Sequence, residues 1–364
     1  MRSSDSPAPS RSRFWDILRG IGILSIVMGH CFQPAIAYVY TYHLAVFFFV
    51  SGFLYNETKY SRDPFGHIAA KLKSSWPKYT LYMCTFTLLH NPFQHIGINP
   101  PGLLYGRTQT AALLGNALIL LGGEAMGGAL WFVPAWILSC GIFGGTIWFV
   151  FRFCPGKKAW AVPLRTALVS GISLLFCAAG ARLMLGGFVL TYRMHLAFLV
   201  QPFFLAGWLI RRHLPAYRRW LKWYAALPCA VLLWWIIRRY SPLIDIAAGH
   251  IGNGWQYFLL AFLGIYCCMY LASLLESLNA PGLVFALYGK YSFDVMALHF
   301  FIFKLIDVFY GHFIANDPPE IYSAFPQAYA FRLWPVYIIL GVTVPALIGA
   351  ALARAGKQLA KITV

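Results

Sequence analysis

One stretch near the N-terminus concentrates side chains that can move protons. It reads Arg13-Phe-Trp-Asp16-Ile-Leu-Arg19-Gly-Ile-Gly-Ile-Leu-Ser-Ile-Val-Met-Gly-His30. In a helix, Asp16 and Arg19 stand three apart and can pair across one turn. Arg19 and His30 are eleven apart, close to three full turns, and project from one face. An imidazole with an ordinary pKa of about 6.5 accepts and returns a proton near neutrality. One face of one helix thus carries an acid (Asp16), a guanidinium (Arg19) and an imidazole (His30), candidate catalytic residues; the alternative for His30 is a packed or interfacial residue at a helix end. The other reading is that Arg13, Asp16 and Arg19 mark a membrane-helix end, with Arg19 reaching back to the headgroups.

A second apolar run opens with Tyr42-His43 and continues through Phe47-Phe48-Phe49-Val-Ser51-Gly52. It starts near the level at which the first ends, so His43 falls at the depth of His30. His43, Glu124 and Trp131 are the candidate substrate-binding residues, Glu124 standing just before the Gly127-Gly128-Ala129-Leu130-Trp131-Phe132 opening of a later helix. The basic cluster Lys71, Lys73 and Lys78 has two readings: it fixes topology against anionic lipid, or it holds the phosphates of a nucleotide-bearing co-substrate. Asp294 and His299, five apart, diverge by about 140° on a helix and need not meet. The eight cysteines form no CxxC pair, and no HExxH, P-loop or GxGxxG in proper context occurs, so no metal site is expected.

The elements that must position these groups are membrane helices. Hydrophobic residues make up 60% of the 364 positions and charged residues 11%, against about 25% charged in soluble domains. The apolar runs are continuous rather than alternating, which points to helices and not a barrel. An all-α, polytopic bundle of about ten transmembrane helices is expected, at 14–33, 38–56, 76–90, 129–151, 162–183, 195–211, 222–238, 255–276, 288–310 and 333–353. The segment 110–121 is apolar but too short to span, and reads as an interfacial or re-entrant piece. Residues 1–13 form a polar, basic tail expected to be disordered, and 14–364 a single domain. The net charge of +18 lies in short clusters between apolar segments rather than in a nucleic-acid-binding patch. With the N-terminus in the cytoplasm, 21 of the 29 Lys and Arg fall on that side and 7 on the other, the bias that the positive-inside rule requires. Both termini are then cytoplasmic.

Taken together the segments resemble the membrane-integral acyltransferase family 3, and within it the fucose 4-O-acetylase-like sugar acetyltransferases. The resemblance is carried by Arg13-x-x-Asp16-x-x-Arg19-Gly through Gly29-His30, and by His43 with Phe47-Phe48-Phe49-x-Ser51-Gly52. It continues in the basic stretch before Pro77, Leu130-Trp131-Phe132, Phe203-Phe204-Leu205-Ala206-Gly207 and Gly289-Lys290-x-Ser292 through Leu298-His299. It implies transfer of an acyl group, usually acetyl from acetyl-CoA, to a hydroxyl of a surface or lipid-linked glycan. His30 would be catalytic and Arg19 its essential partner, acetyl-CoA a co-substrate with no tightly bound cofactor. The setting would be a bacterial cell membrane, with homo-oligomers allowed. Where the family carries arginines before the third helix, this chain has Lys71 and Lys73, point charges without a bidentate fork. Direct transfer and an acyl-histidine intermediate both fit. The competing class is a transporter or flippase of lipid-linked sugars, although the paired, similarly broken halves common in transporters are not evident.

Overall fold

The computed structural model describes residues 12–31, 34–99, 102, 104–154, 160–316 and 329–362; the expected tail, up to residue 11, lies outside them. The architecture is all-helical. Among the described residues the only sheet is a two-residue hairpin, Ile244–Asp245 paired with His250–Ile251.

The chain runs through α1 (Arg13–Gly29), α2 (Ile36–Val39), α3 (His43–Phe53), α4 (Glu57–Tyr60), α5 (Pro64–His95) and α6 (Arg107–Leu118). A 3-10 turn, Ala125–Trp131, leads into α7 (Phe132–Phe153), then α8 (Ala161–Leu185), α9 (Met194–Leu199), α10 (Gln201–His213) and α11 (Trp223–Tyr240). The last four are α12 (Trp255–Ser277), α13 (Asn279–Lys290), α14 (Ser292–Tyr310) and α15 (Ala330–Ile362). Five stretches are long and apolar enough to cross a bilayer: Ile36–Phe53, Ala125–Phe153, Ala161–Leu185, Trp255–Ser277 and Ala330–Gln358. The pair Thr191–Leu199 and Gln201–His213, bent by 50°, makes a sixth if taken as one broken span.

Several boundaries depart from the sequence reading for identifiable reasons. The helix expected at 76–90 starts at Pro64, because Asp63 caps it by accepting the Gly66 N–H at 2.8 Å and Pro64 suits the first helical position. Pro77 lies inside this helix, so the basic cluster is helical rather than a loop leading to it. The helix expected at 288–310 is two, divided at Tyr291. The short apolar segment is α6, folded back along α5, with Trp76 Nε1 donating to the Leu118 carbonyl at 2.7 Å.

α1 occupies the middle of the bundle, packed against α13, α12, α3, α14 and α15. Its approach to α13 is backbone on backbone. A Cβ at Gly20 would lie 2.0 Å from the Phe285 carbonyl oxygen, and one at Gly289 1.7 Å from that of Asp16. A similar crossing joins α3 and α10, where Gly52 faces the Phe204 carbonyl and Gly207 that of Phe49. Small residues at such crossings let van der Waals contact replace the hydrophobic drive that lipid does not supply. Arg13 does not reach outward: it donates to the carbonyls of Leu278 at 3.1 Å and Asn279 at 2.8 Å, closing the α12–α13 junction.

Gly20→Val and Gly289→Val should each destabilise the bundle by about 3 kcal/mol or more, because neither helix can yield without separating the backbones. Gly145→Val, at a position facing open space, serves as the control. Thermal aggregation of the detergent-solubilised protein measures the difference.

Candidate active site

His30 closes α1 at its C-terminal end. Its Nδ1 lies 2.7 Å from Nε2 of His299, the rings stacked at 6° with centroids 4.9 Å apart. His299 is fully buried on α14, and its own Nδ1 sits 3.0 Å from the Val295 carbonyl oxygen. A carbonyl only accepts, so His299 Nδ1 carries the proton and Nε2 the lone pair. His30 Nδ1 must then be the donor to His299, which makes Nε2 the basic nitrogen of His30. One backbone carbonyl thus sets two tautomers in series.

His30 lines a cavity of about 250 Å³ together with Tyr40, His43, Trp131, Asp245 and Phe300. His43 is held in the same manner, with Nδ1 donating to the Val39 carbonyl at 2.8 Å. The Asp245 carboxylate comes from the short hairpin, where Oδ1 accepts the Ala247 N–H at 3.0 Å.

A second cavity of about 200 Å³ is lined by Arg19, Ser51, Lys71, Ser75, Trp136 and Phe293, among others. The Arg19 guanidinium pairs with Asp16. Lys71 Nζ stands 5.0 Å from the centre of the Trp136 ring, whose Nε1 donates to Ser51 Oγ at 2.8 Å. The two cavities share Ile26, Phe132 and Met296. Arg19, Ile23, Ile26 and His30 therefore run along one face of α1, with a three-side-chain partition between the guanidinium and the imidazole.

The structure brings the sequence-derived candidates together in groups. His30, His43 and Trp131 share the first cavity, and Arg19 and Lys71 the second, with Asp16 held against Arg19. Glu124 and Trp131 line a third, of about 260 Å³. Lys73 is exposed and lines none of the three. Lys78 is engaged with Asp294, its Nζ 2.8 and 3.0 Å from the two carboxylate oxygens, while the Tyr82 hydroxyl donates to Oδ1 at 2.8 Å. Asp294 and His299 do diverge, one toward α5 and the other toward α1. His299, Asp245 and Arg193 were not among the candidate site residues. The sequence signals for His299 are an imidazole inside the apolar run of α14 and its place in the Leu298-His299 segment of the family resemblance. Asp245 and Arg193 gave none, since their roles depend on loop geometry. Among the described residues, no three His, Cys, Asp or Glu side chains are grouped so as to hold a metal ion.

The acyltransferase 3 family model, described as an acyltransferase domain, matches residues 12–354. The chain belongs to that family. No curated protein and no solved structure gives a significant match. As an acyltransferase 3 protein with several apolar helices of spanning length, it is a multi-pass membrane acyltransferase. The matched segment contains both members of the His30–His299 pair and all three cavities.

Lys78 separates a structural from a binding role. Asp294 is only 1% exposed, so Lys78→Met leaves a buried carboxylate with one neutral donor and should cost about 3 kcal/mol. Adding Asp294→Leu should recover most of that loss. Thermal stability of the single and double variants in detergent tests the pairing.

Proposed function

We propose that the protein transfers an acyl group, acetyl in the first instance, from acyl-CoA to a hydroxyl of a surface or lipid-linked sugar. The observation that carries this reading is the hydrogen-bonded chain from the Val295 carbonyl through His299 to His30. It presents Nε2 of His30 as a base in a cavity next to a basic one. A sugar hydroxyl is a poor nucleophile at neutral pH. Nε2 of His30 takes its proton as the oxygen attacks the thioester carbonyl, and the proton then goes to the departing CoA sulfur. General base catalysis of this kind contributes about 10²–10⁴ in rate. His299 keeps the His30 ring in the productive tautomer and accepts from the imidazolium that forms.

The acyl donor enters from the Arg19–Lys71 end. The rise of α1 from Arg19 to His30 is about 16 Å, a gap suited to the pantetheine arm, with the nucleotide left at the basic face. On the sequence expectation of ten crossings with both termini in the cytoplasm, that face would lie on the cytosolic side of a bacterial cell membrane and His30 toward the outer leaflet. The partition of Ile26, Phe132 and Met296 must then open for the thioester. Met296, unbranched with three rotatable bonds, is the side chain best able to swing aside.

In proteoliposomes, acetyl-CoA on the cytosolic side with acceptor outside should support thiol release. His30→Ala should lower it about 10²–10⁴-fold, and His299→Leu should lower kcat with little change in the KM of acetyl-CoA. Wild-type protein that releases no thiol would instead be a transporter.

Met296→Ala should shift preference toward propionyl-CoA over acetyl-CoA by about tenfold, since one extra methylene accommodated in an apolar passage is worth that order. An unchanged ratio of kcat/KM for the two thioesters would remove the partition from the donor's path.

A further inference from the structure

The third cavity shares only Gly128 and Trp131 with the cavity of His30. Its other walls come from Tyr79 and Met83 on α5, the 120–124 loop that returns from α6, and the 189–193 segment before α9. The first loop bends back through left-handed conformations at Leu120, Gly122 and Gly123, and the second through two consecutive non-glycine residues, Tyr192 (φ 54°) and Arg193 (φ 55°). Side chains tolerate that conformation poorly, and such strain collects at functional sites. The Tyr192 hydroxyl donates to the Ile119 carbonyl at 3.0 Å, joining the two loops into one wall. The Arg193 guanidinium lies 4.5 Å from the centre of the Trp131 ring and donates to the Ala247 carbonyl, whose residue lines the His30 cavity.

Inside this wall stands Glu124, 3% exposed. Its Oε1 is in long contacts with the Met126 N–H and with His90 Nδ1, each at 3.4 Å, whereas Oε2, 3.3 Å from the same His90 nitrogen, makes no hydrogen bond of proper geometry. A buried acceptor left in this state favours a ligand that brings donors. A carboxylate accepts hydroxyls and repels anions, while Tyr79, Tyr192 and Trp131 supply flat apolar surface. A neutral polyol with an apolar ring face has this combination, and a pyranose is such a molecule.

We infer that this chamber is the acceptor subsite, holding a neutral pyranose by Glu124 and the aromatic walls. From there one hydroxyl reaches past Gly128 and Trp131 to Nε2 of His30. The inference rests on the acyl-transfer reading and adds where, and by what, the sugar is held. Donor and acceptor then approach His30 from separate chambers.

The test uses the full-length protein in liposomes and diazirine-bearing alkyl gluco-, galacto- and mannopyranosides. Photolabel should map to residues 119–134 and 189–193, compete with the matching methyl pyranoside, and fall in Glu124→Gln. The same substitution should raise KM for the best alkyl pyranoside about ten- to hundredfold, the loss expected for a hydrogen bond to a charged group, with KM for acetyl-CoA far less affected. Tyr192→Phe, which frees the two loops from each other, should raise the pyranoside KM in the same direction. Label elsewhere, or label and KM indifferent to Glu124→Gln, overturns the subsite. Labelling of the chamber in a wild-type protein that releases no thiol would keep the sugar site and overturn the acyl-transfer reading.

Discussion

The backbone crossing of α1 and α13 is the constraint on which the geometry of the candidate site depends. Gly20 faces Gly289, and ten residues further along both chains His30 faces His299. The helices run in parallel and keep step, so the glycine contact sets the register in which the two imidazoles meet. The interruption at Tyr291 does not disturb this, because α14 resumes at Ser292 and continues beside α1. Glycine costs a helix about 1 kcal/mol against alanine. Here the loss is offset by an approach no larger residue allows, at the level where Asp16 and Arg19 also pair.

Several charged groups of the bundle share one arrangement, each engaged with a partner from its own turn or from a facing helix. Asp16 meets Arg19 within α1, Asp294 on α14 meets Lys78 and Tyr82 on α5, and Glu57 meets Arg212 and the Trp208 indole on α10. Asp307 accepts from the Tyr337 hydroxyl, joining α14 to α15. In a medium that cannot hydrate them, such pairs cost more to break than to keep, and they tie together helices that lipid would otherwise leave free to slide. The first two cavities lie on the face of α1 that carries Arg19, Ile23, Ile26 and His30, and the third beside the first, across Gly128 and Trp131.

The helical class was legible from continuous apolar runs and scarce charge. So was the common face of Arg19 and His30, because eleven residues return a helix to nearly the same side. The length of α5 was not, since Asp63 and Pro64 form a helix start but sit in a polar stretch that reads as a loop. Lys78 falls inside the helix expected at 76–90, but its contact with Asp294, 216 residues away, joins two helices that sequence spacing does not relate. The His299 partnership was hidden for a related reason. Wheel geometry relates residues on one helix, and it correctly separated Asp294 from His299, but it says nothing of which other helix each one faces. Arg193 and Asp245 depend on left-handed turns and a two-residue hairpin, local structures that leave little pattern in composition or period.

The choice of His299 as the partner of His30 fits the medium. A carboxylate in that position would fix the tautomer equally well, but it would bury a permanent charge, and proton transfer to His30 would create a desolvated ion pair. An imidazole whose own Nδ1–H is spent on a backbone carbonyl is neutral in the resting state and still accepts from His30. In the transfer proposed above, only the transferred proton would bring charge into the pair, as negative charge develops on the substrate beside it. A pair built in this way avoids a standing desolvation cost and, on the proposed mechanism, keeps its electrostatic response for the reaction step.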